Sequence, residues 1–463
     1  MDRIVVVGGG LAGGRTVVEL REQGFSGAIT LVGAEEHRPY DRPPLSKAVL
    51  SGRTDDTTLP FDLDGVELLL GRHATGLRPG VLETDGGPIE FDGLVLATGA
   101  APVRLPGSAD QRVLRTIDDA RALRETLRPG ARLVVVGAGW IGAEVATHAA
   151  AHEVAVTVVE AGASPLLALG PVVGGHTVPW YAAAGIDLRL GAAVAQIRSD
   201  GVELAGGEFL PADAVVVGVG VRPDVSWLES SGLQLDRGVV VDEWMSAVPG
   251  ADAGGAGGYR PGSVVGAGDC TAWWSRRYER RMRVEHWECA QESPRVAVAT
   301  LLRTLAGGQP SSESPDDIYN PVPYFWSQQF GRMIQFAGLP GPDSTLVLRG
   351  DPTAVAPPGA KKAPGWSAGW FAPDGRLVAL ATVARPLDMV AGRRMLLADA
   401  APDVAKFSDL DIALKELAPS RCSRRAWLVG RARRSCRAPR PWARHARLRG
   451  SVCMDAMCAR TVR

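Results

Sequence analysis

Near its start the chain runs Arg3-Ile4-Val5-Val6-Val7, an apolar stretch without the in-and-out alternation of a half-exposed strand. A run of this kind predicts a strand buried on both faces, as in a parallel sheet. Gly8, Gly10 and Gly13 follow, then a helical pattern from Leu11 to Leu20 and a second apolar run from Ile29 to Val32. About 130 residues later the same order returns. Leu133 to Val136 is the strand, Gly137, Gly139 and Gly142 the turn, Ile141 to Ala151 the helix, and Val154 to Val159 the next strand. The repeat predicts two strand, turn, helix, strand units. Leu94 to Leu96 and Val215 to Val217 each lead into glycine, at Ala97-Thr98-Gly99 and Gly218-Val219-Gly220, and are predicted to be strands ending at a ligand. The Gly/Pro/Ala stretch from Gly250 to Gly262 reads as a flexible loop. Val264-Val265 and Gly266-Ala267-Gly268-Asp269 then predict a return to the first unit.

From Tyr324 to Leu417 the pattern becomes short alternating strands, such as Met333 to Phe336, Thr345 to Leu348 and Leu377 to Val383, with a helix-like end. The expected organisation is a discontinuous first domain (1–110 and 245–323), a second (111–244), a smaller α+β domain (324–417) and a tail (418–463). Composition narrows the class. With 463 residues, 46% hydrophobic and 22% charged, the chain reads as a soluble multidomain protein without a membrane span. Its N-terminus lacks a secretory pattern, so a cytoplasmic location is expected. The zero net charge hides a split, because residues 418 to 463 hold 13 Arg and one acid, Asp455, leaving 38 bases against 50 acids upstream. That tail is expected to be disordered. No metal site is read from the sequence.

Gly8, Gly10 and Gly13 form G-x-G-x-x-G between strand and helix, where backbone can approach a pyrophosphate and the helix N-terminus favours its charge. Glu35, with Glu36 as the alternative, stands where a carboxylate binds ribose hydroxyls. Gly137, Gly139 and Gly142 repeat the device, with Glu160 at the end of the next strand. An acid there pairs with a free 2′-hydroxyl and repels a 2′-phosphate, and Ala161 to Pro171 contains no Arg or Lys to neutralise one. NADH is therefore expected over NADPH. Two dinucleotide sites in one chain imply that one cofactor reduces the other, and hydride transfer to a flavin is the economical form.

The segment Glu35 to Lys47, E-E-H-R-P-Y-D-R-P-P-L-S-K, resembles the FAD-dependent ferredoxin and rubredoxin reductases that serve bacterial oxygenases and cytochromes P450. The resemblance extends through Ala97-Thr98-Gly99, the W-I-G-x-E of Trp140 to Glu144, Gly268-Asp269, Arg283-Val284-Glu285-His286-Trp287 and Tyr324-Phe325-Trp326-Ser327, covering about residues 1 to 417. It implies an α/β fold with two Rossmann-like domains, for FAD and NAD, plus the C-terminal α+β domain. It also implies roles: Arg42 near the FAD phosphates, Lys47 near flavin N5, and Glu144 holding Lys47 or the nicotinamide amide. Asp269 would bind the ribityl chain or ribose, with Gly268 beside the phosphates, while Trp287 and Trp326 would flank the flavin. The sequence departs from the family at Gln328, where an aspartate is usual, at the Gly254 to Gly258 insertion, and in the tail.

No cysteine precedes Cys270, which excludes the redox disulfide of glutathione-reductase-like relatives. Electrons must leave directly from the flavin, which can release them singly to an iron–sulfur protein of ferredoxin or rubredoxin type. Arg276, Arg277, Arg280, Arg281 and Arg283 are a candidate docking patch for such an acidic carrier, or else a solvated loop. Two further readings stay open: a flavin oxidase or quinone reductase, and a nucleic-acid or membrane-surface binder acting through the Arg-rich tail.

Overall fold

The strand Arg3–Val7 lies at the centre of a five-stranded parallel sheet. The order is Val264–Gly266, Gly93–Leu96, Arg3–Val7, Ala28–Gly33, Val66–Leu70. Ile4, Val5 and Val6 are fully buried, which at about 1.5–3 kcal/mol for each such side chain explains why the apolar run is unbroken. Val264–Gly266 joins this sheet from more than 160 residues further on, beside Gly93–Leu96, and so brings Gly268 and Asp269 to the strand ends that carry Gly8 and Ala97. The computed structural model describes residues 2–107, 111–250, 258–309, 317–355 and 364–419. All but the last residue of the Gly254 to Gly258 stretch, and all of the tail after Pro419 with its four cysteines, lie outside the described residues.

The second glycine turn has its own parallel sheet, ordered Asp187–Leu190, Ala155–Glu160, Arg132–Val136, Ala214–Val217. The helices after the two turns, Leu11–Glu22 and Trp140–Ala150, begin directly at Gly10 and Gly139. The strands Tyr324–Gln329, Arg332–Gly338, Leu377–Val383, Trp366–Phe371 and Thr345–Arg349, in that order, form a five-stranded antiparallel sheet, with the helix Pro386–Leu397 packed against it. Strands read from the pattern are thus present within a residue or two. The small antiparallel sheets, such as Val194–Arg198 with Gly201–Leu204 and Phe209–Pro211, were not predicted, because three to five residues carry too little periodicity. Among the described residues no helix is long and apolar enough to cross a membrane.

Inside the C-terminal layer Arg349 is only 1% exposed. Its guanidinium donates to Asp388 Oδ2 at 3.1 Å and to the carbonyls of Phe407 (2.9 Å), Ile412 (2.8 Å) and Asp409, tying the strand Thr345–Arg349 to the segments that close the domain. Breaking a buried pair by removing one partner strands the other charge. Asp388→Ala is therefore expected to destabilise the protein by about 3–5 kcal/mol in urea unfolding, and a loss under about 1 kcal/mol would show that the backbone carbonyls suffice.

Candidate functional site

Gly8 has φ +124°, and a Cβ there would fall 2.1 Å from the Ala97 carbonyl oxygen, so only glycine lets the first turn pass under the neighbouring strand end. Gly13 packs its helix onto the turn: a Cβ would lie 1.8 Å from the Gly8 carbonyl oxygen. Gly137 and Gly142 repeat this contact, with a Cβ on Gly142 falling 2.0 Å from the Gly137 carbonyl. Gly10 and Gly139 face open space within about 4 Å apart from Arg42 and Gly218, respectively, which leaves room for a ligand against the backbone.

Around the first turn the charges are arranged in a chain. Glu35 accepts from Arg42 Nη2 at 2.6 Å and from the Tyr40 hydroxyl at 2.5 Å. Arg42 also donates to the Arg115 carbonyl at 2.5 Å, and Arg115 Nη2 donates to Asp269 Oδ2 at 3.2 Å. Burial pushes the Asp269 carboxyl up from its ordinary value, against the pull of Arg115 and Arg42. Burial, and then the like charge of Arg42, pulls the Arg115 guanidinium down. Two guanidiniums held close together beside a glycine turn are arranged for an anion. Thr98 Oγ1 donates to the Asp224 carbonyl at 2.7 Å, Gly99 has φ +73°, and the Gly268 N–H is taken by Ser293 Oγ at 2.9 Å.

Lys47 sits on a π-helical turn, Leu45–Val49, that starts from Pro44. Its Nζ donates to Glu144 Oε2 at 2.6 Å, the Pro43 carbonyl at 3.1 Å and Ser46 Oγ at 3.2 Å. Glu144, 4% exposed, accepts also from Ser46 Oγ, and its other oxygen accepts from Ser327 Oγ at 2.6 Å and the Gln328 N–H at 3.0 Å. Of the two partners expected for Glu144, Lys47 is in contact. The Gln328 contact comes from backbone, so the side-chain departure at that position leaves it intact. Trp287 and Trp326 meet edge to face with centroids 6.0 Å apart, and Trp287 Nε1 donates to Asp41 Oδ1 at 2.9 Å. At the second turn Glu160 accepts from the Ala138 N–H at 2.8 Å and the Gly162 N–H at 2.7 Å.

The arginine run does not form one free cationic face. Arg276 pairs with Glu243, Arg277 with Asp399 at 2.5 Å, and Arg283 with Glu285, while Arg281 donates to the Val241 and Ala272 carbonyls. Arg280 is exposed. Arg115, Ser46, Ser327 and Asp41 were missed by the sequence reading. Ser46 and Asp41 lay inside the quoted motif and Ser327 at the end of another, but Arg115 has no local signal, since Asp269 is 154 residues away. Cys270 and Cys289, the cysteines among the described residues, are buried and unbridged.

The family model described as pyridine nucleotide-disulphide oxidoreductase matches residues 2–293, and the model described as reductase C-terminal matches residues 324–418. The anthranilate 1,2-dioxygenase system ferredoxin–NAD(+) reductase component of Burkholderia cepacia is 33% identical over 433 residues, covering 89% of this chain and 98% of that protein. Among solved structures, Fdr9 is 44% identical with a TM-score of 0.80, covering 91% of this chain and 100% of its own. The reductase in the covalent putidaredoxin reductase–putidaredoxin complex is 29% identical with a TM-score of 0.78, covering 90% and 98%.

Four donors converge on one buried carboxylate at Glu144. Glu144→Ala is expected to cost about 3–5 kcal/mol in denaturant unfolding, since Lys47 loses its counter-ion. Glu144→Gln, which keeps a carbonyl oxygen as acceptor, is expected to cost about 1–3 kcal/mol. Equal losses for both variants would mean that charge has no part in the junction.

Proposed function

The chain belongs to the pyridine nucleotide-disulphide oxidoreductase family and carries the reductase C-terminal domain, and from that premise we propose that it is an FAD-dependent ferredoxin reductase, oxidising NADH and delivering electrons singly to a small iron–sulfur protein of ferredoxin or rubredoxin type. The observation that carries the reading is the joining of the two glycine turns through Lys47 and Glu144, since the lysine belongs to the first dinucleotide region and the glutamate to the helix of the second. FAD, when bound, supplies the conversion between a two-electron donor and a one-electron acceptor.

The residues present fit FAD at the first turn. Gly8, Gly10 and Gly13 let a ligand approach the backbone, next to Ala97, Thr98, Gly99 and Gly268 at three adjacent strand ends. Arg42 and Arg115 offer positive charge for a pyrophosphate, and Asp269 and Glu35 offer carboxylates for hydroxyl groups. In this reading Lys47 offsets negative charge beside the isoalloxazine, and Glu144 fixes the ammonium in place. Trp287 and Trp326 wall the ring, with Asp41 holding the Trp287 indole. Gly137, Gly139, Gly142 and Glu160 take NADH, and the Glu160 carboxylate disfavours the 2′-phosphate of NADPH. Reductase components named for NAD(+) among the relatives support that preference. The partner's first contact falls to exposed cations such as Arg280 rather than to the paired arginines around it. The working compartment is the cytoplasm, where the nicotinamide pool is held.

The test is anaerobic titration of the FAD-loaded protein with NADH or NADPH, followed by a ferredoxin. NADH is expected to bleach the flavin and the ferredoxin to restore it. A flavin left oxidised by NADH would sink the reductase reading, and fast reoxidation by air alone, without response to the ferredoxin, would make the protein an oxidase. Glu160→Ala is expected to shrink the ratio of kcat/KM for NADH over NADPH by about tenfold, and an unchanged ratio would remove Glu160 from cofactor choice.

A further inference from the structure

Leu166 holds its backbone in the left-handed region, φ +50° and ψ +47°, which strains any residue with a Cβ. Such strain persists only where the surroundings enforce it. Two contacts do so here. The Leu166 N–H donates at 3.1 Å to the carbonyl of Ala138, the residue between Gly137 and Gly139. The side chain, 2% exposed, belongs to an apolar cluster in which Leu169, Val173 and Trp180 join Ile334, Phe336, Trp366 and Trp370 of the C-terminal sheet.

Ala138 is consequently gripped by both ends of one loop. Glu160 takes its N–H at 2.8 Å, and Leu166 takes its carbonyl. The next residue, Leu167, turns the opposite way and is 56% exposed. Its Cδ1 lies so near Gly162, whose N–H is bound to Glu160, that a Cβ on that glycine would come within 2.8 Å. The left-handed step thus turns one leucine into the core and the next toward solvent beside the carboxylate.

We propose that Leu166 is a positioning residue for the nicotinamide dinucleotide: it transmits the packing of the C-terminal sheet to the Gly137–Gly142 turn and sets Leu167 as an apolar wall next to Glu160. The role rests on the reading of the second turn as the NADH site. A residue of this kind acts on binding, not on chemistry, because it holds groups that face the dinucleotide, and none of its described hydrogen bonds is with Lys47 or Glu144.

The experiment uses the full-length, FAD-loaded protein. Leu166→Ala is expected to raise the KM for NADH about 5–20-fold, leave kcat within about twofold and leave the KM for ferredoxin unchanged. Leu166→Met, which keeps the volume, is expected to stay close to wild type. Val173→Ala opens a cavity in the same cluster, since Val173 is 1% exposed, but none of its described hydrogen bonds reaches the glycine turn, so its KM for NADH is expected to stay within about twofold. The rise in melting temperature caused by NAD+ should shrink in Leu166→Ala and not in Val173→Ala, a readout independent of turnover. An unchanged KM in Leu166→Ala, or an equal rise in Val173→Ala, would overturn the role of Leu166. Wild-type protein that neither binds nor oxidises NADH would overturn the reading of the site itself.

Discussion

The buried carboxylate of Glu144 is the constraint on which the arrangement turns. An isolated carboxylate in that position would be costly to desolvate, and the cost is offset because four polar or charged donors, from two other stretches of chain, surround it. Ser46 and Lys47 arrive from the turn after the first unit, Ser327 and the Gln328 N–H from the first strand of the C-terminal sheet, and Glu144 itself from the second turn of the helix Trp140–Ala150. No two of these stretches can shift independently without stranding a polar group. The second glycine turn, the Lys47 segment and the C-terminal sheet are therefore placed by one set of hydrogen bonds at the point where the proposed electron path would pass.

Much of this was legible in the sequence because it is encoded locally. Ile4 to Val7 and Leu133 to Val136 read as buried strands since parallel strands bury both faces, and the glycines read as turns since the contacts of Gly8 and Gly13 admit no side chain. Lys47 and Glu144 were singled out through motif context, and they meet. What was not legible depends on distance along the chain. Arg115 reaches Asp269 only through the folding of the first sheet, and a serine such as Ser327 carries no sequence mark of being buried and bonded to a carboxylate. The arginine run stayed open between a docking patch and a solvated loop for the same reason. Its positive charge is visible locally, while Glu243 and Asp399, which cancel part of it, lie far away in sequence.

The two glycine turns share a backbone but differ in charge, and the difference bears on which dinucleotide stays. Beside the first turn Arg42 and Arg115 are held in largely buried surroundings, each against a carboxylate, Glu35 and Asp269, and there their attraction for a pyrophosphate is screened less than it would be in water. Beside the second, Glu160 accepts from the Ala138 and Gly162 amides, and the residues from Ala161 to Pro171 supply no cation. Binding there must rely on backbone amides, the helix N-terminus and apolar contact, terms that are individually modest. A resident cofactor suits the first environment and a co-substrate that must leave after each turnover suits the second. The same asymmetry gives the loop after Glu160 its importance, because a weak site depends on how well its walls are held, and Leu166 is where the C-terminal sheet reaches that wall.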